Sequence, residues 1–124
     1  MAQATAPEHM AQLTTHVLDT ANGKPGNGIR ISVFRLDGGR NLVATAVTDE
    51  DGRTDTPLID DAAFRTGTYE LEFAVGEYFA AAGNELSKPP FLDHIVIRVS
   101  LAEQRHYHVP LLVSPWSYST YRGS

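Results

Sequence analysis

The chain carries five histidines, at positions 9, 16, 94, 106 and 108. His106 and His108 sit two residues apart in "RHYHVPLLVS". On a strand that spacing puts both side chains on one face, about 7 Å apart. His16 lies inside "LTTHVLDT". Imidazole titrates near neutral pH, so it suits taking a proton from water and returning one to a leaving group. Arg53 directly follows an Asp51-Gly52 turn, and its guanidinium is a planar fork fit for two-point contact with a polar molecule. Tyr121, Arg122, Gly123 and Ser124 close the sequence with a phenol, a cation and a hydroxyl. From these types alone catalysis is an open option and no more. His9 and His94 read as leader and surface residues. A lone Arg53 is most often solvated, and the last four residues can equally complete an interface. His16, His106 and His108 together can ligate a metal, but no two of them share one rigid turn, and no metal is expected.

The bulk composition narrows the classes. The chain has 124 residues, enough for one domain and not two. It has no cysteine, which excludes a disulfide scaffold, a thiolate metal site and a cysteine nucleophile. The net charge of -5 and the lack of a Lys/Arg cluster argue against nucleic acid as a partner. No apolar run approaches the length that spans a bilayer, and no signal peptide is evident, so a cytoplasmic setting is expected.

Strands must position these residues. Residues 1–11 read as a flexible leader and 12–124 as the domain. "LTTHVLDT" (13–20) alternates, with Thr14, His16 and Leu18 on one face and Thr15, Val17 and Asp19 on the other. Turn formers fill 21–28. "IRISVFRL" (29–36), a turn at 37–40 and "NLVATAVT" (41–48) read as a hairpin. "GTYELEFAV" (67–75) is the cleanest half-buried strand. The alanines of "GEYFAAAG" (76–83) predict a helix of two turns or fewer. Strands are then expected at 91–100, 105–114 and 116–122. Seven or eight strands and one short helix make an all-β sandwich. Pro110 cannot donate to a ladder, so its strand is expected at a sheet edge or a bulge. One face of that strand, Tyr107, Val109, Leu111 and Val113, reads as core. The other, His106, His108, Pro110 and Leu112, is mixed, as suits a cleft or a contact with another subunit.

Three stretches carry a resemblance. "THVLDTANGKPG", "TDEDGRTD" and "HYHVPLLVSPWSYSTYRGS" stand in the order and spacing of the 5-hydroxyisourate hydrolase family, the transthyretin-related proteins. Similarity runs from about Leu13 to Ser124, and the closing "YRGS" resembles the enzyme branch rather than the hormone carrier. The resemblance implies a transthyretin-like two-sheet sandwich with one short helix. It also implies a homotetramer built as a dimer of dimers, with a central channel whose mouths hold the active sites.

The implied reaction is hydrolysis of a cyclic amide. 5-Hydroxyisourate opens to 2-oxo-4-hydroxy-4-carboxy-5-ureidoimidazoline, a step of urate degradation that needs no cofactor. Carried over residue by residue, the family site falls on His16, Arg53, His108 and Ser124. Tyr121, Arg122 and Gly123 join the substrate pocket, and His106 keeps a rim position. The competing expectation is a transthyretin-like carrier using the same channel. Against it, two histidines and an arginine suit a polar heterocycle better than an apolar hormone.

Overall fold

A computed structural model describes residues 10–124. Two four-stranded sheets face each other. The first has the order β2-β1-β7-β8, from β1 (Gln12–Asp19), β2 (Lys24–Pro25), β7 (His106–Val113) and β8 (Tyr118–Thr120). The second runs β4-β3-β5-β6, from β3 (Arg30–Leu36), β4 (Arg40–Val47), β5 (Gly67–Phe73) and β6 (Ile95–Leu101). Among the described residues one helix, α1 (Val75–Ala81), connects β5 to β6. The all-β sandwich with one short helix is the expected architecture. The expected leader falls on residues of which 1–9 lie outside those described; Ala11 is buried, and its N–H donates to Asp61 Oδ1 at 2.8 Å.

Alternation decides which residues meet between the sheets. Leu13 and Val17 of β1, Leu111 and Val113 of β7, Ile31 and Val33 of β3 and Leu71 and Phe73 of β5 are all buried. Phe79 pins α1 onto the same core. Each such side chain contributes roughly 1.5–3 kcal/mol relative to exposure. The inward residues therefore hold the sandwich together, and the outward ones are free for other work. Helix α1 is also tied to β1, because Tyr78 Oη donates to the buried Asp19 at 2.6 Å.

The outer faces of the two sheets differ. On the second, Glu70 and Glu72 are claimed by Arg40, Arg98 and His94, with His94 Nδ1 only 2.6 Å from Glu72 Oε2. His94 is thus absorbed into a surface charge network. On the first, Thr14 and His16 of β1 stand outward beside His106, His108 and Leu112 of β7.

The strand carrying Pro110 is not at an edge. β7 lies inside its sheet, parallel to β1 on one side and antiparallel to β8 on the other. The register Leu111↔Thr120 and His108↔Gly123 puts Pro110 opposite Tyr121. An antiparallel ladder asks for a donor at every second residue, and there proline has none. β8 stops at Thr120, whose Oγ1 donates instead to the Pro110 carbonyl at 2.7 Å. Pairing resumes at one bridge, where Gly123 N–H donates to the His108 carbonyl at 2.8 Å. The irregularity expected of proline has moved onto the neighbouring strand, and it breaks β8 just before the 121–124 segment reaches His108.

No helix among the described residues is long and apolar enough to cross a membrane.

Candidate functional site

Parallel pairing of β1 with β7 builds the site. The register Thr14↔His108 and His16↔Pro110 sets a threonine and a histidine beside the two imidazoles of β7. Thr14 Oγ1 lies 2.8 Å from His106 Nε2 and 2.8 Å from His108 Nδ1. The two rings are 6.3 Å apart between centroids and tilted by 60°, close to the separation the strand repeat predicts.

Arg53 reaches the same place from the turn after β4. Asp49 shapes that turn: its Oδ1 accepts from the N–H groups of Asp51 and Arg53, and its own N–H donates to the Arg53 carbonyl at 2.7 Å. Gly52 fastens the turn to β1, with Val17 N–H donating to the Gly52 carbonyl at 2.8 Å. Its φ of +77° favours glycine, and a Cβ there would stand 2.3 Å from the Val17 carbonyl and 3.3 Å from His16 Cδ2. Glycine at 52 is therefore what allows the turn to lie against His16. Among the described residues the Arg53 side chain makes no hydrogen bond or ion pair, which leaves its fork free for a ligand.

The 121–124 segment closes the other side. Gly123 lies against the His108 ring, where a Cβ would come within 2.7 Å of Cδ2. Gly123→Ala is expected to push that ring out of line. A displacement of an ångström in a reacting group can cost about a hundredfold. We expect G123A to lose roughly tenfold to a hundredfold in kcat with little change in Tm, since the core is untouched; steady-state kinetics beside a melting curve checks it.

Arg53, His106, His108 and Ser124 line one cleft of about 390 Å³, together with Thr14 and the 54–57 segment. A second cleft of about 440 Å³ shares His106 and Ser124 and adds Arg105, Tyr121, Arg122 and Gly123. The expected residues thus fall into two adjoining groups. His16 lines neither cleft, but its charge acts on His108 from β1. Arg122 points toward the inward side of β7, its guanidinium 5.4 Å over the Tyr107 ring. A somewhat larger hollow of about 470 Å³ lies elsewhere, and its arginines, Arg35 and Arg65, are already engaged by Asp37 and by backbone carbonyls.

The electrostatics favour a neutral His108. Burial lowers its pKa below the ordinary histidine value, and the positive charges of Arg53, His106 and His16 push the same way. A neutral imidazole beside a fixed guanidinium can accept a proton from water while the cation stabilises negative charge on a carbonyl oxygen. Among the described residues no three His, Cys, Asp or Glu side chains gather as metal ligands would. Sequence reasoning missed Thr14 as a partner of both rings. Its place on the His16 face was readable, but the β1–β7 register that brings it to His106 and His108 was not.

Known proteins share this arrangement of sheets and sequence. A 5-hydroxyisourate hydrolase of Pseudomonas aeruginosa is 50% identical, covering 100% of both chains. Sea bream transthyretin in complex with thyroxine superposes with a TM-score of 0.80 at 31% identity, over 90% of this chain and 94% of that one. An (S)-allantoin synthase structure gives 0.87 at 48% identity over 94% of this chain, which spans only 45% of that longer chain. Residues 13–123 match the HIUase/Transthyretin family. With the sandwich, the short helix and the histidine-bearing outer face all in place, the chain belongs to the HIUase/transthyretin family.

Proposed function

We propose that this chain hydrolyses 5-hydroxyisourate to 2-oxo-4-hydroxy-4-carboxy-5-ureidoimidazoline, as a cyclic amidase of urate degradation. The observation that carries the reading is the convergence of Arg53, His106 and His108 on one polar cleft, in a chain half identical along its whole length to a protein named for that activity. The substrate is a polar heterocycle, and among the described residues the cleft offers it the Arg53 guanidinium and the imidazoles of His106 and His108.

In this reading His108 and His16 manage the water and the proton transfers. His108 takes a proton from the attacking water. The hydroxide adds to the ring carbonyl, and Arg53 binds the heterocycle and stabilises the oxyanion with fixed donors that need no reorganisation. Ser124 supplies a hydroxyl to the same cleft. The tetrahedral intermediate collapses as the ring nitrogen departs, and an imidazolium returns the proton to it. Tyr121, Arg122 and Gly123 complete the substrate pocket in the adjoining cleft. No cofactor takes part.

We also propose that four copies assemble as a dimer of dimers. Trp116, Tyr118 and Leu18 are 57%, 45% and 38% exposed. Phe91, 69% exposed, stacks on Trp116 at 6.1 Å between centroids. Packing between copies would cover such apolar surface.

The test is the ultraviolet decay of freshly generated 5-hydroxyisourate, which also opens unaided. The protein is expected to accelerate that decay in proportion to its concentration. Decay at the spontaneous rate would overturn the reading. The likeness to a thyroxine-bound transthyretin supports a carrier as the second reading, and saturable thyroxine binding without turnover would favour it.

A further inference from the structure

The reading above rests on His108 as a proton acceptor, and His108 is not alone on its strand. Thr14 Oγ1 stands between two imidazole nitrogens, 2.8 Å from His108 Nδ1 and 2.8 Å from His106 Nε2. Among the described residues it has no third hydrogen-bond partner. A threonine hydroxyl has one proton to give and lone pairs to receive with. When that proton goes to one ring, the other ring must donate to the oxygen.

Only two arrangements of neutral rings satisfy this. In the first, His108 Nδ1–H donates to Thr14, and Thr14 donates to His106 Nε2, so His106 carries its proton on Nδ1. In the second, His106 Nε2–H donates to Thr14, and Thr14 donates to His108 Nδ1, so His108 carries its proton on Nε2. Either way the two rings hold the same tautomer. Only the first leaves the Nε2 of His108 with a free lone pair.

We propose that Thr14 is a positioning residue that locks His106 and His108 into one shared tautomer, and that the Nδ1–H form is the one in which His108 Nε2 acts as the base. His106 then has work beyond the rim. When His108 Nε2 takes a proton from water, its Nδ1 proton passes to Thr14 Oγ1 as the Thr14 proton passes to His106 Nε2. One N–H bond breaks and one forms, and the positive charge moves from His108 to His106. The reverse shift restores the His108 imidazolium, which delivers its Nε2 proton to the departing ring nitrogen.

The surroundings give that shift a direction. His108 faces Arg53 from the turn after β4 and His16 from β1, and both disfavour its cation. His106 lines both clefts, with Asp55 and Ser124 in the first and Arg105 and Arg122 in the second. His106 is half-buried, with one acidic side chain, Asp55, in the lining of its first cleft.

The test combines nitrogen-15 NMR of the imidazoles with kinetics on the wild type, Thr14→Ser and Thr14→Val. Above the titration of both rings, His106 and His108 of the wild type and of T14S are expected in the same tautomer. In T14V that agreement is lost. T14S keeps kcat within about twofold, whereas T14V loses about tenfold in kcat at nearly unchanged KM. That is less than the hundredfold or more expected for losing the base itself. The acid limb of the kcat profile moves in T14V and not in T14S. Opposite tautomers in the wild type would overturn the proposal. So would T14V with wild-type kcat and pH profile, or T14S as impaired as T14V. If the wild type fails to accelerate 5-hydroxyisourate decay, the hydrolytic reading falls, and the NMR result still decides the coupling.

Discussion

His108→Gln is expected to lower kcat on 5-hydroxyisourate by about two to four orders of magnitude, the usual contribution of a positioned acid–base group. Glutamine keeps polar atoms near the Thr14 hydroxyl and the flat side of Gly123, but it has no nitrogen that titrates near neutral pH. The chain should still fold, because His108 faces outward while Val109 and Leu111 beside it hold β7 in the core. Substrate binding should change less than turnover, since Arg53 remains. His16→Gln is the control. A loss there as large as in H108Q means that the two histidines act as one unit, whereas a near-wild-type H108Q beside a dead H16Q moves the base to His16.

The same residue sets a pH dependence whose sign is fixed by its surroundings. Burial first, and then the charges of Arg53, His106 and His16, hold its folded pKa below the ordinary value, which is near 6.5. With His108 as the proposed base, turnover needs it neutral, so the acid limb of kcat/KM is expected below about pH 6.5. Stability follows the linked proton. As pH falls through the ordinary histidine range, the unfolded chain takes up a proton before the folded one does. The contribution of His108 is thus fully present above the unfolded value and is lost as pH drops toward the lower folded one. H108Q should remove that part of the acid slope in Tm.

What the sequence shows and what it hides follow from the range of the interactions. β1, β3, β5 and β7 announce themselves by alternation, because one face of each is buried and the period is local. The helix is legible from its alanines and the glycine after them. Three features are not. β2 is two residues, Lys24–Pro25, inside a stretch that otherwise reads as turn. β6 begins at Ile95 rather than Phe91, since Asp93 is engaged by the start of α1, whose Gly76 N–H donates to its carbonyl at 2.8 Å. β8 is cut to three residues by the missing donor of Pro110, which lies on a different strand.

The candidate site divides along the same line. The outward facing of His16, His106 and His108 is a local property and can be read from alternation. That Arg53 arrives beside them depends on Gly52 fitting under Val17, and that Thr14 joins the two rings depends on a parallel register between residues more than ninety positions apart. Parallel pairing leaves no turn in the sequence to set its register. Residue types therefore suggested the chemistry, and only the long-range pairing supplied its geometry.

Arg53→Met should have the second large effect, and it separates two duties of one side chain. The first is contact: Arg53 makes no hydrogen bond or ion pair among the described residues, so its donors are available to the substrate. Removing one fixed donor set from an oxyanion site typically costs about a hundredfold to a thousandfold in kcat, and R53M is expected in that range. The second duty acts at a distance. Arg53 is the leading charge among those that hold His108 below its ordinary pKa, so its removal should raise that pKa and move the acid limb of kcat/KM to higher pH. Arg53→Lys divides the duties. It keeps the charge, so the limb should stay near the wild-type position, but it lacks the planar two-point fork, so kcat should fall between wild type and R53M. Losses in both variants with limbs that move together would mean that the turn, held by Asp49 and Gly52, had collapsed, and Tm would report it. Losses with unmoved limbs in both would break the electrostatic link between Arg53 and His108. A displaced limb in R53M alone is the pattern that ties the cation of one loop to the proton of the facing strand.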